Sequence, residues 1–371
     1  MHFALPPRKT SFPPPYARVS AKNSSERRRR QVQYLGYLVF GVLTLYLIVS
    51  FFTSGNTPTQ HGPIAEDASV LLVTVLDEDS MTEDYISIIK TNRDDYTRRH
   101  GAWACQLLRD LPTDQRTGYQ TFYTNVSTYT HLTRPSPASW SMVPALRHAL
   151  TSYSDVDYVW YLTPHALIMN PSISLYDHVF VNLTNLMQKD IPVVPPDSVI
   201  HTFSHLRPSQ VYLILTQDQD NVAHTSFILR NTAAILVAED TPKDSWSQYF
   251  LDVWFDPLYR AYAFQKAENH ALEHIIQWHP TVLAKLAMVD QRLINSYNYE
   301  NAPSDAAVNL EAHAQKHESR WQKGDLVINF KGCAAAKERD CEKEIKQFYQ
   351  IWQDEVAHLD GRSNPGKAQA A

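Results

Sequence analysis

Tyr158-Val-Trp-Tyr-Leu-Thr-Pro-His-Ala-Leu-Ile-Met-Asn-Pro171 constrains the fold of this chain more than any other stretch. It opens as an apolar run rich in β-branched and aromatic residues, breaks at Thr163-Pro164-His165, and resumes as Ala166-Leu-Ile-Met169. A run of this kind, bounded by turn signals, reads as a strand buried on both faces. The polar triplet therefore marks where a central strand reaches the carboxyl edge of its sheet, where open α/β sheets bind their ligands.

The rest of the chain supplies elements for such a sheet. Val70-Leu-Leu-Val-Thr-Val-Leu76 reads as a first buried strand ending in the polar loop Asp77-Glu-Asp79. Tyr85 to Leu108 has helical spacing, and His100-Gly101 reads as a helix end rather than a ligand. Trp140 to Leu150 forms an amphipathic helix that leads through Ser154-Asp-Val-Asp157 into the central strand, the crossover a parallel sheet requires. Ile191-Pro-Val-Val194, Val211 to Leu215 and Ser226 to Arg230 read as further strands, with Thr216 to Asn221 a polar loop between them. Trp246 to Lys285 is mostly helical and dense in aromatics and histidines. There His270 and His274 share a helical face, but Glu273 is misplaced for His-Glu-x-x-His, so a structural or substrate-facing role is expected. Gly324 to Cys333 gives a last short strand. Glu338 to His358 gives a charged helix with Ile345, Phe348, Tyr349, Ile351 and Trp352 on its inner side. The expected class is α/β, a mostly parallel Rossmann-like sheet flanked by helices.

A net charge of -5 leaves no electrostatic footprint for nucleic acid. Only ten of 371 residues are glycine, with no phosphate-cradling glycine loop, which argues against Rossmann cofactor binding and a P-loop. Residues 1–30 are rich in Pro, Ser and Arg and read as a disordered arm ending in Arg27-Arg28-Arg29-Arg30. Residues 33–52 carry no charge and have the length of a membrane-crossing helix. The basic cluster before them keeps the arm cytosolic and sends the remainder across, as an uncleaved signal anchor. A stalk over 53–69, a lumenal domain over 70–358 and a loose tail over 359–371 complete the organisation. Asn125-Val-Ser127 and Asn182-Leu-Thr184 are glycosylation acceptors for that compartment. Of three cysteines, Cys333 and Cys341 are the expected pair, with Cys105 a buried small hydrophobe.

Over about residues 70–355 the sequence resembles the fungal Golgi α-1,6-mannosyltransferase subunits of the mannan polymerase complex, in glycosyltransferase family 34. The resemblance rests on Asn92, Tyr96 and His100-Gly101; Trp140 with Val143-Pro-Ala-Leu-Arg147; Trp160-Tyr-Leu162 with Ala166 to Asn170; and Ser226-Phe227 with Arg230-Asn231. It continues through Phe250 to Arg260, Glu268, Ala271-Leu-Glu-His274, Gln277-Trp-His-Pro-Thr281, Gln291-Arg and Asn295-Ser-Tyr297, to the Gly324-Asp325 and Gly332-Cys333 turns. Phe255-Asp-Pro-Leu-Tyr and Gln277-Trp-His-Pro-Thr look like the mannan polymerase branch. The resemblance implies a GT-A-like fold, a GDP-mannose donor, a mannan acceptor, retention of anomeric configuration, Mn²⁺ and assembly with other mannosyltransferase subunits in the Golgi membrane. It places Met142, Thr163, His165 and Gln291 on the donor side, His165 and Asn329 at metal positions, and Glu268 at an acidic position near the reacting sugar. Trp254, Tyr259 and Trp278 would offer stacking faces for mannose, although core packing is the expected role of at least Trp254.

Four positions depart from that family's pattern. Thr163-Pro164-His165 stands for Asp-x-Asp, Met142 for a lysine on the donor diphosphate, Ala223-His224-Thr225 for Asn-x-Gly, and Asn329 for a metal-binding histidine. Mn²⁺ favours carboxylate with imidazole as a helper, so His165 is left as the sole strong ligand. Without cation or lysine the leaving-group charge goes uncompensated. Two readings follow: an active α-1,6-mannosyltransferase extending mannan on N-glycans, or a non-catalytic or weakly active scaffold subunit of the same complex. A galactosyltransferase of the same family is a third.

Overall fold

Seven consecutive buried residues make Val70–Leu76 (β1) a strand with nothing left for solvent, and its neighbours build outward from it. The computed structural model describes residues 34, 37 and 41, then 68–107, 118–219, 221–232, 245–262, 264–298, 319–334 and 339–362. Two units are present, Met1–Gln60 and His61–Ala371. In the first, Tyr34, Tyr37 and Gly41 are helical; the rest of the expected membrane segment, the 1–30 arm, most of the stalk and most of the tail lie outside the described residues. Among the described residues no helix is long and apolar enough to cross a membrane.

In the larger unit, β1 is followed by a helix Glu83–Leu107 (α1), a strand Tyr119–Asn125 (β2), a short helix Val126–Thr133 (α2) and a 3-10 turn Ala138–Ser141. That turn runs into Met142–Ser152 (α3), which leads to Tyr158–Leu162 (β3) and Ala166–Ile168 (β4). Leu213–Gln217 (β5) and Val222–Arg230 (β6) form a hairpin ahead of helices Trp246–Trp254 (α4), Pro257–Ala261 (α5) and Ala267–Trp278 (α6). Leu286–Val289 (β7), Gln291–Ile294 (α7), Ser296–Tyr297 (β8), Val327–Asn329 (β9) and Cys341–Leu359 (α8) follow.

The main sheet has the order β2-β1-β3-β6-β5-β7. β1 runs parallel to β2 and β3, β5 parallel to β7, and β6 alone is reversed, pairing antiparallel with β3 and β5. The sheet is thus mixed and mostly parallel. Its two faces carry separate apolar clusters, one under α3, α4 and α6, the other around Tyr96, Trp160 and Phe180.

After the break at Thr163 the chain does not re-enter this sheet. β4 joins a second, three-stranded sheet in the order β4-β9-β8, whose core includes Leu167, Ile328, Phe330, Ile345 and Trp352. Asn92 of α1 holds it there by imitating a strand: its amide donates to the Ile168 carbonyl at 2.9 Å and accepts from the Ile168 amide at 2.8 Å. The expected inner face of α8 needs one correction, because Ile351 is exposed while Ile345, Phe348 and Trp352 are buried.

Two other expectations are corrected. Gly101 does not stop a helix, since α1 continues to Leu107. Its missing side chain instead admits β2, because a Cβ there would lie 2.9 Å from the Tyr119 carbonyl oxygen. Ile191–Val194 is not a strand of the main sheet; the segment makes one isolated bridge, Pro192 to His201. Pro192, Pro195 and Pro196 have no amide hydrogen to give a ladder.

Cys333 and Cys341 are joined by a disulfide that fastens β9 to the start of α8, with Cα atoms 5.1 Å apart; the Cys105 side chain lies outside the described residues. Closing so short a loop is worth about 2–3 kcal/mol on chain-entropy grounds. Replacing both cysteines by serine is expected to lower the denaturation midpoint accordingly, measured against the unreduced protein in urea. A change below about 0.5 kcal/mol would show that packing around Cys333 already fixes the loop.

Candidate active site

The carboxyl ends of β1 and β3 open into a cavity of about 930 Å³. Asp77 leaves β1 there and Thr163, Pro164 and His165 leave β3. Because β6 runs the other way, it is its beginning that reaches this edge: the Thr163 amide donates to the Thr225 carbonyl at 2.9 Å, which brings His224 into the wall. The 3-10 turn before α3 adds Ser139, Ser141 and Met142, and α6 adds Glu268.

Beneath the triplet sits Arg93, fully buried with no carboxylate among its hydrogen-bond partners. Its guanidinium donates to the Thr163 carbonyl at 2.7 Å, the Ala166 carbonyl at 3.3 Å, the Ile89 carbonyl at 3.3 Å and the Thr74 hydroxyl at 2.8 Å. These bonds fix the turn carrying Thr163 and His165. Burial lowers the Arg93 pKa to about 10, so it still carries its charge at neutral pH.

The imidazole Nδ1 of His165 lies 2.8 Å from the Tyr85 hydroxyl. Burial pushes the Tyr85 pKa up, so its hydroxyl keeps the proton. In the tautomer where Tyr85 donates, Nδ1 is used and the ring hydrogen stands on Nε2, leaving no lone pair for a cation. Burial first, and then the Arg93 charge, push His165 down to about 4 from an ordinary 6.5, against a smaller opposing effect of Asp77. The folded state therefore binds fewer protons than the unfolded state between these values. The His165 contribution to stability is complete above about pH 6.5 and declines as pH falls toward 4. His165→Gln is expected to flatten this decline in urea titrations at pH 7 and pH 5; an unchanged slope would assign acid sensitivity to other groups.

Glu268 is 7% exposed and shaped by its surroundings. The Ser139 hydroxyl donates to its Oε2 at 2.5 Å, and His224 Nε2 lies 3.3 Å from its Oε1. Burial pushes this carboxyl up, but His224 and Ser139 together outweigh it and hold Glu268 below the usual range. The Trp254 indole donates to its backbone carbonyl at 2.8 Å. The preceding Ala267 has φ of 45°, a left-handed conformation rare outside glycine, and strain of this sort gathers at functional sites. The result is an ionised, positioned carboxylate in the cavity wall.

Other expected site residues fall elsewhere. Asn329 does not line the cavity: its amide donates to Thr225 and Asn295, both at 2.8 Å, and its Oδ1 is buried without a partner. Gln291 is likewise outside, donating to the Asn295 carbonyl at 3.2 Å within its own turn. Trp254 is core, and Tyr259 and Trp278 are outside the cavity lining. His270 and His274 do not converge on a cation: His270 faces Glu273 at 3.8 Å, while the His274 ring packs between Tyr259 and Trp278. Asn182 is exposed, and Asn125 caps α2 while donating to Glu78 at 2.7 Å.

These residues do not fit Mn²⁺. Among the described residues, the one set of three potential ligands with atoms within 4.8 Å of one another is His165, Cys333 and Cys341, and its two sulfurs are consumed in the disulfide. Asp77 lines the cavity, but no described trio joins it to His165. Thr163 supplies only a neutral oxygen, and a hard cation requires more.

Sequence reasoning reached Thr163, His165, Met142 and Glu268 but missed Ser139, Ser141 and Arg93. His224 was visible only as a departure from a pattern. A buried arginine in a helix and serines in a turn have no one-dimensional signature; their meaning comes from what the fold sets beside them.

Known proteins resemble this chain in sequence and in structure. An uncharacterised α-1,2-galactosyltransferase of Schizosaccharomyces pombe is 27% identical over 304 residues, 80% of this chain and 78% of that protein. The probable α-1,6-mannosyltransferase MNN11 of Saccharomyces cerevisiae is 26% identical over 76% of this chain, which spans 61% of that protein's length. Among solved structures, a glycosyltransferase involved in glycosylation of the PBCV-1 major capsid covers 75% of this chain and 99% of its own, with 7% identity and a TM-score of 0.41. Residues 66–341 match the galactosyl transferase GMA12/MNN10 family of glycosyltransferases, to which this chain belongs.

Proposed function

We propose that this chain is a transferring subunit of a Golgi α-1,6-mannosyltransferase that elongates the mannan backbone of N-glycans from GDP-mannose. The observation that carries the reading is Glu268, a carboxylate withdrawn from water yet kept ionised at the wall of the sheet-edge cavity. Burying a charge is costly, and a wall with only a structural role could use an amide. Here the charge is aimed where an acceptor hydroxyl or an oxocarbenium-like sugar gains from it. Mannose is favoured over galactose by the runs Phe255 to Tyr259 and Gln277 to Thr281. The basic cluster followed by the apolar segment 33–52 supports a single-pass type II anchor with the domain in the lumen.

The test is transfer by the full-length chain, purified from membranes with its associated subunits, to α-1,6-mannan oligosaccharides from GDP-mannose or UDP-galactose. Mannose transfer that Glu268→Gln abolishes is the expected result. Transfer only from UDP-galactose would overturn the donor. A second reading, a scaffold for active partner subunits, is favoured by the missing metal ligands. It predicts that the associated subunits retain activity with Glu268→Gln and lose it when the whole chain is deleted.

A further inference from the structure

Glu268 is ionised and buried, yet it is poorly suited to take a proton itself. Both of its oxygens are engaged, Oε2 by the Ser139 hydroxyl at 2.5 Å and Oε1 by His224 Nε2 at 3.3 Å. Burial pushes the carboxyl up, but these two partners outweigh it and hold Glu268 below the usual range. A base works best with a pKa near the working pH, so a carboxylate made more acidic than usual is the wrong group for a sugar hydroxyl. The group beside it is better placed.

His224 reaches the cavity because β6 is reversed, which sets its first residues at the sheet edge next to Thr163. The two ring nitrogens have different surroundings. Nε2 faces Glu268, while Nδ1 has no hydrogen-bond partner among the described residues. A carboxylate opposite Nε2 favours the tautomer with its hydrogen there and the lone pair on Nδ1. An imidazole held in this way is a general base oriented by an acid, and it works from the uncharged ring. Once it has taken a proton, the new charge is matched by Glu268 and felt by a second carboxyl, Glu273. The other imidazole of the cavity cannot do this work. Burial first, and then the Arg93 charge, push His165 down to about 4, and Tyr85 occupies its Nδ1.

We propose that His224 is the general base for the acceptor hydroxyl, with Glu268 and, behind it, Ser139 as the residues that orient it. The proposal rests on reading the cavity as a glycosyltransferase site. In the step, the hydroxyl proton moves to His224 Nδ1 and the oxygen's electron pair forms the bond to C1 of the donor sugar. The bond from C1 to the diphosphate oxygen breaks, and the nucleoside diphosphate leaves with that pair.

Sugar transfer by the full-length chain, purified from membranes with its associated subunits, tests this with His224→Gln, His224→Ala and Glu268→Gln. His224→Gln keeps an N–H for Glu268 but has no basic nitrogen, so kcat should fall about 10²–10⁴-fold while KM changes less than about threefold. Residues that act as a unit are not additive, so the double variant His224→Gln, Glu268→Gln should transfer within about threefold of the slower single variant. In His224→Ala, added imidazole should restore transfer at least about tenfold, which a structural role would not allow. Should His224→Ala fail to fold, the cycle with the two glutamine variants carries the test. Transfer by His224→Gln within about threefold of wild type, losses that multiply in the double variant, or a folded His224→Ala indifferent to imidazole overturns the proposal. Wild type that transfers from no donor removes the transferase reading and the base with it; wild type that transfers while His224→Gln matches it removes the base alone.

Discussion

Glu268→Gln is expected to reduce transfer about 10²–10⁴-fold while leaving the protein folded. The substitution keeps the side-chain volume and an oxygen for the Ser139 hydroxyl, so the hydrogen bond that positions residue 268 survives. What disappears is the negative charge facing the cavity, which is worth that much where a side chain acts on charge or protons in a transition state. The Trp254 indole and the left-handed Ala267 hold the backbone rather than the carboxylate, so they remain in place. Initial rates of mannose transfer with purified variant and wild type make the comparison. A rate within about threefold of wild type would remove Glu268 from the reaction.

Arg93→Met is expected to be the most destabilising single change in the domain, by about 3–5 kcal/mol. Methionine fills much of the same space but donates nothing, and the carbonyls of Thr163 and Ala166 and the hydroxyl of Thr74 lose their partner in a place water does not reach. The turn between the main and second sheets then has no anchor from below. At about 2–4 °C per kcal/mol for a domain of this size, the thermal midpoint should drop by roughly 6–20 °C. Arg93→Lys should recover only part, because an ammonium cannot span carbonyls on both sides of Pro164. A drop under about 3 °C for Arg93→Met would show that the second sheet holds the turn unaided.

Much of the architecture was legible because burial leaves a periodic trace. β1 is apolar but for Thr74 and β3 is an unbroken run of apolar and aromatic residues, and both are wholly buried strands. β2 was missed because Tyr119-Gln-Thr-Phe-Tyr-Thr-Asn125 is half polar, as suits an edge strand at intermediate burial. β7 begins just past the mostly helical stretch that ends at Lys285 and drew no reading, because four apolar residues say nothing about which period they obey. The reversal of β6 left no trace in its composition, yet it puts His224 and Thr225 at the cavity. The prolines of 192–196 were outweighed by their apolar neighbours, and the strand expected there does not form.

The candidate site was legible where chemistry departs from a pattern and silent where it depends on contact. Thr163 and His165 stand out as neutral groups where carboxylates are expected. That Asn329 turns its amide into a polar network with Thr225 and Asn295 could only come from the fold. The same holds for the carboxylate that links Ser139 to His224.

Manganese binding followed by electron paramagnetic resonance tests most directly the claim that a sugar-transferase cavity persists here without its cation site. With full-length protein in excess and GDP present, the signal of hydrated Mn²⁺ should stay at its protein-free intensity, and a Thr163→Asp, His165→Asp double variant should reduce it. Loss of that signal in proportion to wild-type protein would contradict the account.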